Sequence, residues 1–113
     1  MLHVLFVCSQ NKLRSPTAEQ VFSTWPGVEC TSAGTNRGAR NPLTSELVEW
    51  ADLILVMEKQ HQRKLAEKFR AQLSGKRVAC LGIPDNYAFM EDALVELLQR
   101  KVEPYLARSG AGR

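Results

Sequence analysis

Residues 2–16 read L-H-V-L-F-V-C-S-Q-N-K-L-R-S-P, and the fold turns on this stretch. Leu2 to Val7 is a short apolar run that stops abruptly at Cys8, the pattern of a buried strand. Ser15-Pro16 has the chemistry of a helix start, with Ser15 as N-cap and Pro16 at the first helical position, where its missing N–H costs nothing. The spacing therefore predicts a strand, a polar loop from Cys8 to Ser15, and a helix running to about Trp25, where Pro26-Gly27 stops it.

Outward from there the alternation repeats. Val28 to Ser32 reads as a second strand, and Ala33 to Pro42 as a loop with Gly, Asn and two arginines, Arg37 and Arg40. Thr44 can cap a short helix through Trp50. Leu53 to Met57 is apolar on both faces, as a central parallel strand must be. A helix with Leu65, Phe69 and Leu73 on one face follows and ends at Ser74-Gly75. Arg77 to Leu81 is the last strand, Gly82 to Tyr87 a loop, and Phe89 to Leu106 an amphipathic helix. Strand and helix alternating four times predict an α/β fold. The expectation is a single domain over residues 1–107, a four-stranded parallel sheet with helices on both faces and a phosphate-binding loop after strand 1, with a frayed tail over 108–113. In such sheets ligands sit at the carboxyl ends of the strands, where Cys8 and Asp85 both fall.

Length and composition agree with one soluble domain: 113 residues, 44% hydrophobic and 24% charged. No apolar run is long enough to span a bilayer, so no membrane partner is expected. Leu2 to Val7 has neither the basic flank nor the small-residue cleavage site of a secretory signal, which makes the cytoplasm the expected compartment. The three cysteines are odd in number and widely spaced, and the two histidines add no ligand cluster, so neither a metal nor a cofactor is expected. A net charge of +3 suits an anionic substrate and is no argument for nucleic acid.

Residues 8–15, C-S-Q-N-K-L-R-S, set a cysteine, five intervening residues, then an arginine and a hydroxyl. This spacing wraps a loop around one phosphate. The amides of Ser9, Gln10, Asn11, Lys12 and Leu13 form a nest, the Arg14 guanidinium forks onto two oxygens, and the helix N-terminus points its positive end at the same place. Thiolate, the nucleophilic form of cysteine, is favoured beside arginine and at a helix N-terminus. On residue types alone, Cys8 could also be a small buried hydrophobe and Arg14 a surface charge. Asp85, in Pro-Asp-Asn, could be a turn former. Cys30 and Cys80 read as packing residues on strands, and His61 with the Glu58-to-Lys68 charges as one solvated helix face.

The stretch from Val4 to Glu19 resembles the opening of the low-molecular-weight protein tyrosine phosphatases. The likeness continues at Ser32-Ala33-Gly34-Thr35, at Ala51 to Met57 and at Pro84-Asp85-Asn86-Tyr87, with an apparent deletion between Thr35 and Ala51 that would make this a short member. The resemblance implies that Cys8 is the nucleophile, Arg14 the phosphate clamp and Asp85 the general acid. It also implies that Ser15 donates a hydrogen bond to the thiolate, Asn11 holds the loop's unusual backbone and Tyr87 sits at the pocket rim. Three loop residues depart from the pattern. Gln10 stands where the family usually has glycine, Leu13 where it has a second cysteine, and Lys12 where it has an apolar wall residue.

The function so implied is hydrolysis of phosphate monoesters, protein phosphotyrosine above all, through a phosphocysteine. The partner is a phosphorylated protein or a small phosphomonoester. Two alternatives use the same loop: an arsenate-reductase-like thiol enzyme, for which no cysteine follows Cys80 to complete a disulfide relay, and a phosphate-binding module without turnover.

Overall fold

A computed structural model describes residues 1–110. Its elements run β1 (Leu2–Cys8), α1 (Arg14–Phe22), β2 (Val28–Gly34), α2 (Ser45–Trp50), β3 (Leu53–Val56), α3 (Lys59–Phe69), β4 (Arg77–Cys80) and α4 (Asp92–Arg108). The four strands form one parallel sheet in the order β2-β1-β3-β4. The expected fold class is the observed one.

Alternation along β1 builds two cores. Val4, Phe6 and Cys8 face one side of the sheet, where Phe22 of α1 and Leu94, Leu98, Val102 and Leu106 of α4 cover them. Leu5 and Val7 face the other, under Val48 of α2 and Leu65 of α3. All of these side chains are buried, and a fully buried side chain of this size contributes about 1.5–3 kcal/mol. The chain leaves β1 toward β2 on one side and returns past it to β3 on the other. The carboxyl ends of β1 and β3 therefore flank the point where the winding reverses, which is where open α/β sheets bind ligands.

Several element ends differ from the sequence expectation: α1 and α3 stop at Phe22 and Phe69, short of Trp25 and Ser74-Gly75, β2 runs on to Gly34, and β3 and β4 each end one residue early. Helix α1 starts at Arg14 after a Leu13 cap that offers no side-chain hydrogen bond. Ser15 is thus inside the first turn rather than at the N-cap, and Pro16 is the third helical residue, still among the first-turn positions whose N–H groups have no intrahelical partner. Helix α4 starts at Asp92, not Phe89, because Met90 takes a left-handed φ of 59°. The Met90 N–H is bonded to Thr17 Oγ1 of α1, which fixes that turn. At its other end α4 continues to Arg108, past the expected stop at Leu106. Residues 111–113 of the expected tail lie outside the described residues. No helix among the described residues is long and apolar enough to cross a membrane.

Candidate active site

The loop after β1 is held from outside by the segment after β2. The carbonyls of Cys8, Ser9 and Gln10 accept hydrogen bonds from the N–H groups of Thr35, Asn36 and Arg40, at 2.9, 3.0 and 3.0 Å. Those carbonyls are thereby turned away from the loop's centre. Asn11 adopts φ 57°, a left-handed conformation that asparagine tolerates better than most residues. Its Nδ2 donates to Ser15 Oγ at 2.9 Å, and Ser15 Oγ lies 2.9 Å from Cys8 Sγ. With Asn11 supplying a proton to the Ser15 oxygen, the hydroxyl's own proton is free to point at a Cys8 thiolate. This pull from Asn11 and Cys8 is what takes Ser15 away from capping.

Gly34 ends β2 directly beside the loop. A Cβ there would lie 2.5 Å from Ala39 Cβ, 2.6 Å from Ser9 O and 3.1 Å from Asn11 N. The requirement is for space. Gly34→Ala is expected to push the loop off its backing segment, costing about 1–3 kcal/mol as overpacking does and weakening phosphate binding. Chemical denaturation and a phosphate titration check this; unchanged stability and affinity would show that the loop accommodates the methyl group.

Arg14 is 2% exposed, and one of its nitrogens is fully committed. Nη1 donates to Glu58 Oε1 at 2.5 Å and to the Ile83 carbonyl at 2.8 Å. Asp85 Oδ1 lies 3.7 Å from Nε. The anchors hold the guanidinium by one corner and leave its Nε–Nη2 edge free of hydrogen bonds among the described residues, a geometry that can fork onto two oxygens of an anion. The Arg14 hydrogen bond also holds the Glu58 carboxyl below the usual carboxylate range, against a smaller opposing effect of burial.

His61, expected on a solvated face, is completely buried in the site. That reading is corrected, and with it the reading of Glu58. Nδ1 of His61 accepts from the Glu58 backbone N–H at 3.0 Å, and Nε2 lies 2.8 Å from Ser9 Oγ. A backbone N–H can only donate, so Nδ1 must be bare and the neutral ring donates from Nε2 to Ser9. Protonation would set two donors against each other. Burial, followed by the nearby Arg14 charge, pushes the His61 pKa down to about 4 from 6.5. A group depressed in the folded state protonates first in the unfolded chain. Stability is therefore full above pH 6.5 and is lost as pH falls toward 4, by at most about 3 kcal/mol at 1.36 kcal/mol per unit. Urea denaturation across this range should show the loss. In His61→Gln the slope should be flatter, and an equal slope would assign the acid sensitivity to other groups.

Cys8, Ser9, Gln10, Lys12, Leu13, Arg14 and Asp85 together line a cavity of about 150 Å³. Asn11 and Ser15 lie behind it, buried. Tyr87, expected at the rim, is half-buried against the core on the Cys8 side of the sheet and is not among the residues that line this cavity. Sequence reasoning missed Glu58 and His61. The available signal was their place immediately after β3, at the carboxyl end next to Cys8.

No protein-family model matches the chain. The solved low-molecular-weight protein tyrosine phosphatase of Streptococcus pyogenes superposes with a TM-score of 0.78 at 18% identity, over 96% of this chain and 93% of that one. This chain has the low-molecular-weight protein tyrosine phosphatase fold. The same fold is shared with Wzb of Vibrio vulnificus, solved with benzylphosphonate, at a TM-score of 0.75 and 26% identity over 95% of this chain and 98% of that one. A curated relative, the protein-arginine-phosphatase of Bacillus subtilis, is 30% identical across 60% of this chain. The match spans 63% of that protein's length.

Proposed function

We propose that this chain is a cysteine-dependent phosphatase that hydrolyses phosphate monoesters of proteins, phosphotyrosine in particular, in the cytoplasm. The observation that carries the reading is the convergence of Cys8, the free edge of Arg14 and Asp85 on one cavity at the winding reversal. The Cys8 thiolate attacks phosphorus in line, forming a P–S bond as the ester P–O bond breaks, and Asp85 passes a proton to the departing oxygen. Water then attacks phosphorus, Asp85 takes its proton, and the P–S bond breaks to return the thiolate. Arg14 and the loop amides stabilise the charge on the equatorial oxygens throughout. Asp85 is exposed and reaches the Arg14 Nε only at 3.7 Å, so phosphate on the fork displaces it toward the leaving group.

The similarity to an arginine phosphatase makes phosphoarginine the second reading. Lys12 argues against it. Its side chain is exposed on the cavity wall, and a phosphoarginine places a guanidinium beside phosphorus. Like charges about 4 Å apart in a watery setting repel by about 1 kcal/mol, roughly a fivefold penalty. The phenol ring of phosphotyrosine carries no such charge.

Paired kcat/KM measurements on a phosphotyrosyl and a phosphoarginyl peptide of the same sequence test the assignment. Phosphotyrosine should be preferred, and Lys12→Ala should narrow the gap. Faster turnover of phosphoarginine would overturn the tyrosine reading and leave the cysteine mechanism standing.

The disulfide-relay alternative lacks a partner thiol in reach. Val7 pairs with Val56 and Val56 with Cys80, so Cys80 is two strands from the end of β1. That is about 9–10 Å at the usual strand spacing, beyond the separation of roughly 7 Å a disulfide tolerates. Cys80 also packs on the opposite core from Cys8.

A further inference from the structure

Behind the segment that backs the phosphate loop lies a second cavity, of about 190 Å³, between residues 35–43 and α3. Arg37 enters it from the loop, and Lys64 and Lys68 from successive turns of α3, over an apolar floor of Pro42, Leu43 and Phe69. A shallower depression continues from it over the same three cations and adds one acid, Glu67. Lys64 and Lys68 stand four apart on one helix face, an arrangement that costs a few tenths of a kcal/mol by repulsion. None of the three cations is paired with a carboxylate among the described residues. Lys64 Nζ donates to Asn36 Oδ1 at 3.3 Å, which ties α3 to the loop. Thr35 also lines the wall, with its Oγ1 turned inward, buried and without a hydrogen-bond partner among the described residues. A buried hydroxyl without a partner loses the hydrogen bonds that it would make in water.

We propose that this cavity is a second anion site, which holds an acidic side chain of the protein substrate several residues from the phosphorylated one. Its size and charge suit a carboxylate whose methylene stem lies on Leu43 and Phe69. The site connects directly to the catalytic loop, because the N–H groups of Thr35 and Asn36 are the donors to Cys8 O and Ser9 O. An extended peptide covers about 3.3 Å per residue, so a few residues bridge from the loop mouth around this single thickness of chain.

Only the kinetic half of the test rests on the phosphatase reading. In the kinetic half, phosphotyrosyl peptides with glutamate-rich flanks are compared with peptides whose flanks are glutamine. The acidic peptides should have a roughly tenfold higher kcat/KM, expressed in KM and lost on adding salt. Arg37→Gln/Lys68→Gln should erase that advantage and leave free phosphotyrosine, which has no flanks, unaffected. Equal kcat/KM for acidic and neutral flanks in the wild type would overturn the proposal. The binding half needs no turnover. Fluorescence anisotropy of a labelled glutamate-rich peptide without phosphotyrosine should show binding to the wild type and about tenfold weaker binding to the double variant. Binding that is absent, or the same in both proteins, would overturn the second site. Variant-dependent binding without turnover of any phosphotyrosyl peptide would support the second site and remove the phosphotyrosine assignment alone.

Discussion

Cys8→Ser is expected to lower turnover of an aryl phosphate by about 10⁴–10⁶-fold, the scale on which losing a nucleophile costs an enzyme, while the protein still binds phosphate. The two halves of that result have separate causes. Binding belongs to the loop backbone, the Arg14 fork and the helix end, none of which involves sulfur. Attack needs a nucleophile that exists as an anion, and a serine hydroxyl in the same place does not supply one. Ser15 stands ready to hydrogen-bond whichever atom occupies position 8, since its Oγ lies 2.9 Å from Cys8 Sγ and is itself held by Asn11 Nδ2 at 2.9 Å. Steady-state kinetics with p-nitrophenyl phosphate and a phosphate titration make the comparison. Residual activity near wild type would move the nucleophile elsewhere. Loss of both activity and phosphate binding would mean that the substitution has disturbed the loop.

Asp85→Asn should be the more discriminating change. A general acid matters most when the leaving group is poor, because an unprotonated phenolate or alkoxide departs slowly. The variant should lose about 10²–10⁴-fold on phosphotyrosine, the range typical of a positioned acid, and far less on p-nitrophenyl phosphate, whose leaving group needs little protonation. Asp85 is 61% exposed at its side chain and is tied to the site only by the 3.7 Å approach to Arg14. It is therefore free to follow the leaving oxygen. Small and equal losses on both substrates would return Asp85 to a turn-forming role and leave the proton donor to another group.

The sheet and its flanking helices were legible because their signals are local. Leu2 to Val7 and Leu53 to Met57 announce buried strands without reference to anything distant, and the stripe through Leu94, Leu98 and Val102 announces a helix face. Cys8, Arg14 and Ser15 were legible for the same reason, since one short loop carries all three. What the sequence hid was tertiary. Glu58 reaches Arg14 across 44 positions, and His61 reaches Ser9 across 52. Nothing in the charged stretch from Glu58 to Lys68 distinguishes a residue that turns into the sheet edge from one that faces water. The strand order decides it, because placing β3 beside β1 brings whatever follows β3 against the phosphate loop. The Ser15 cap failed on similar grounds: a serine before proline is good capping chemistry until a neighbouring asparagine and thiol compete for its hydroxyl.

The claim on which the rest depends is that phosphorus passes through Cys8. Rapid acid quench of Asp85→Asn during turnover of an aryl phosphate, followed by peptide mass spectrometry, tests it directly, because this variant lacks the base that activates water in the second step. The account predicts a phosphoryl group on the peptide containing Cys8, absent in Cys8→Ser and absent from the peptides containing Cys30 and Cys80. Turnover without any phosphorylated Cys8, or with phosphorus trapped on another residue, would contradict it.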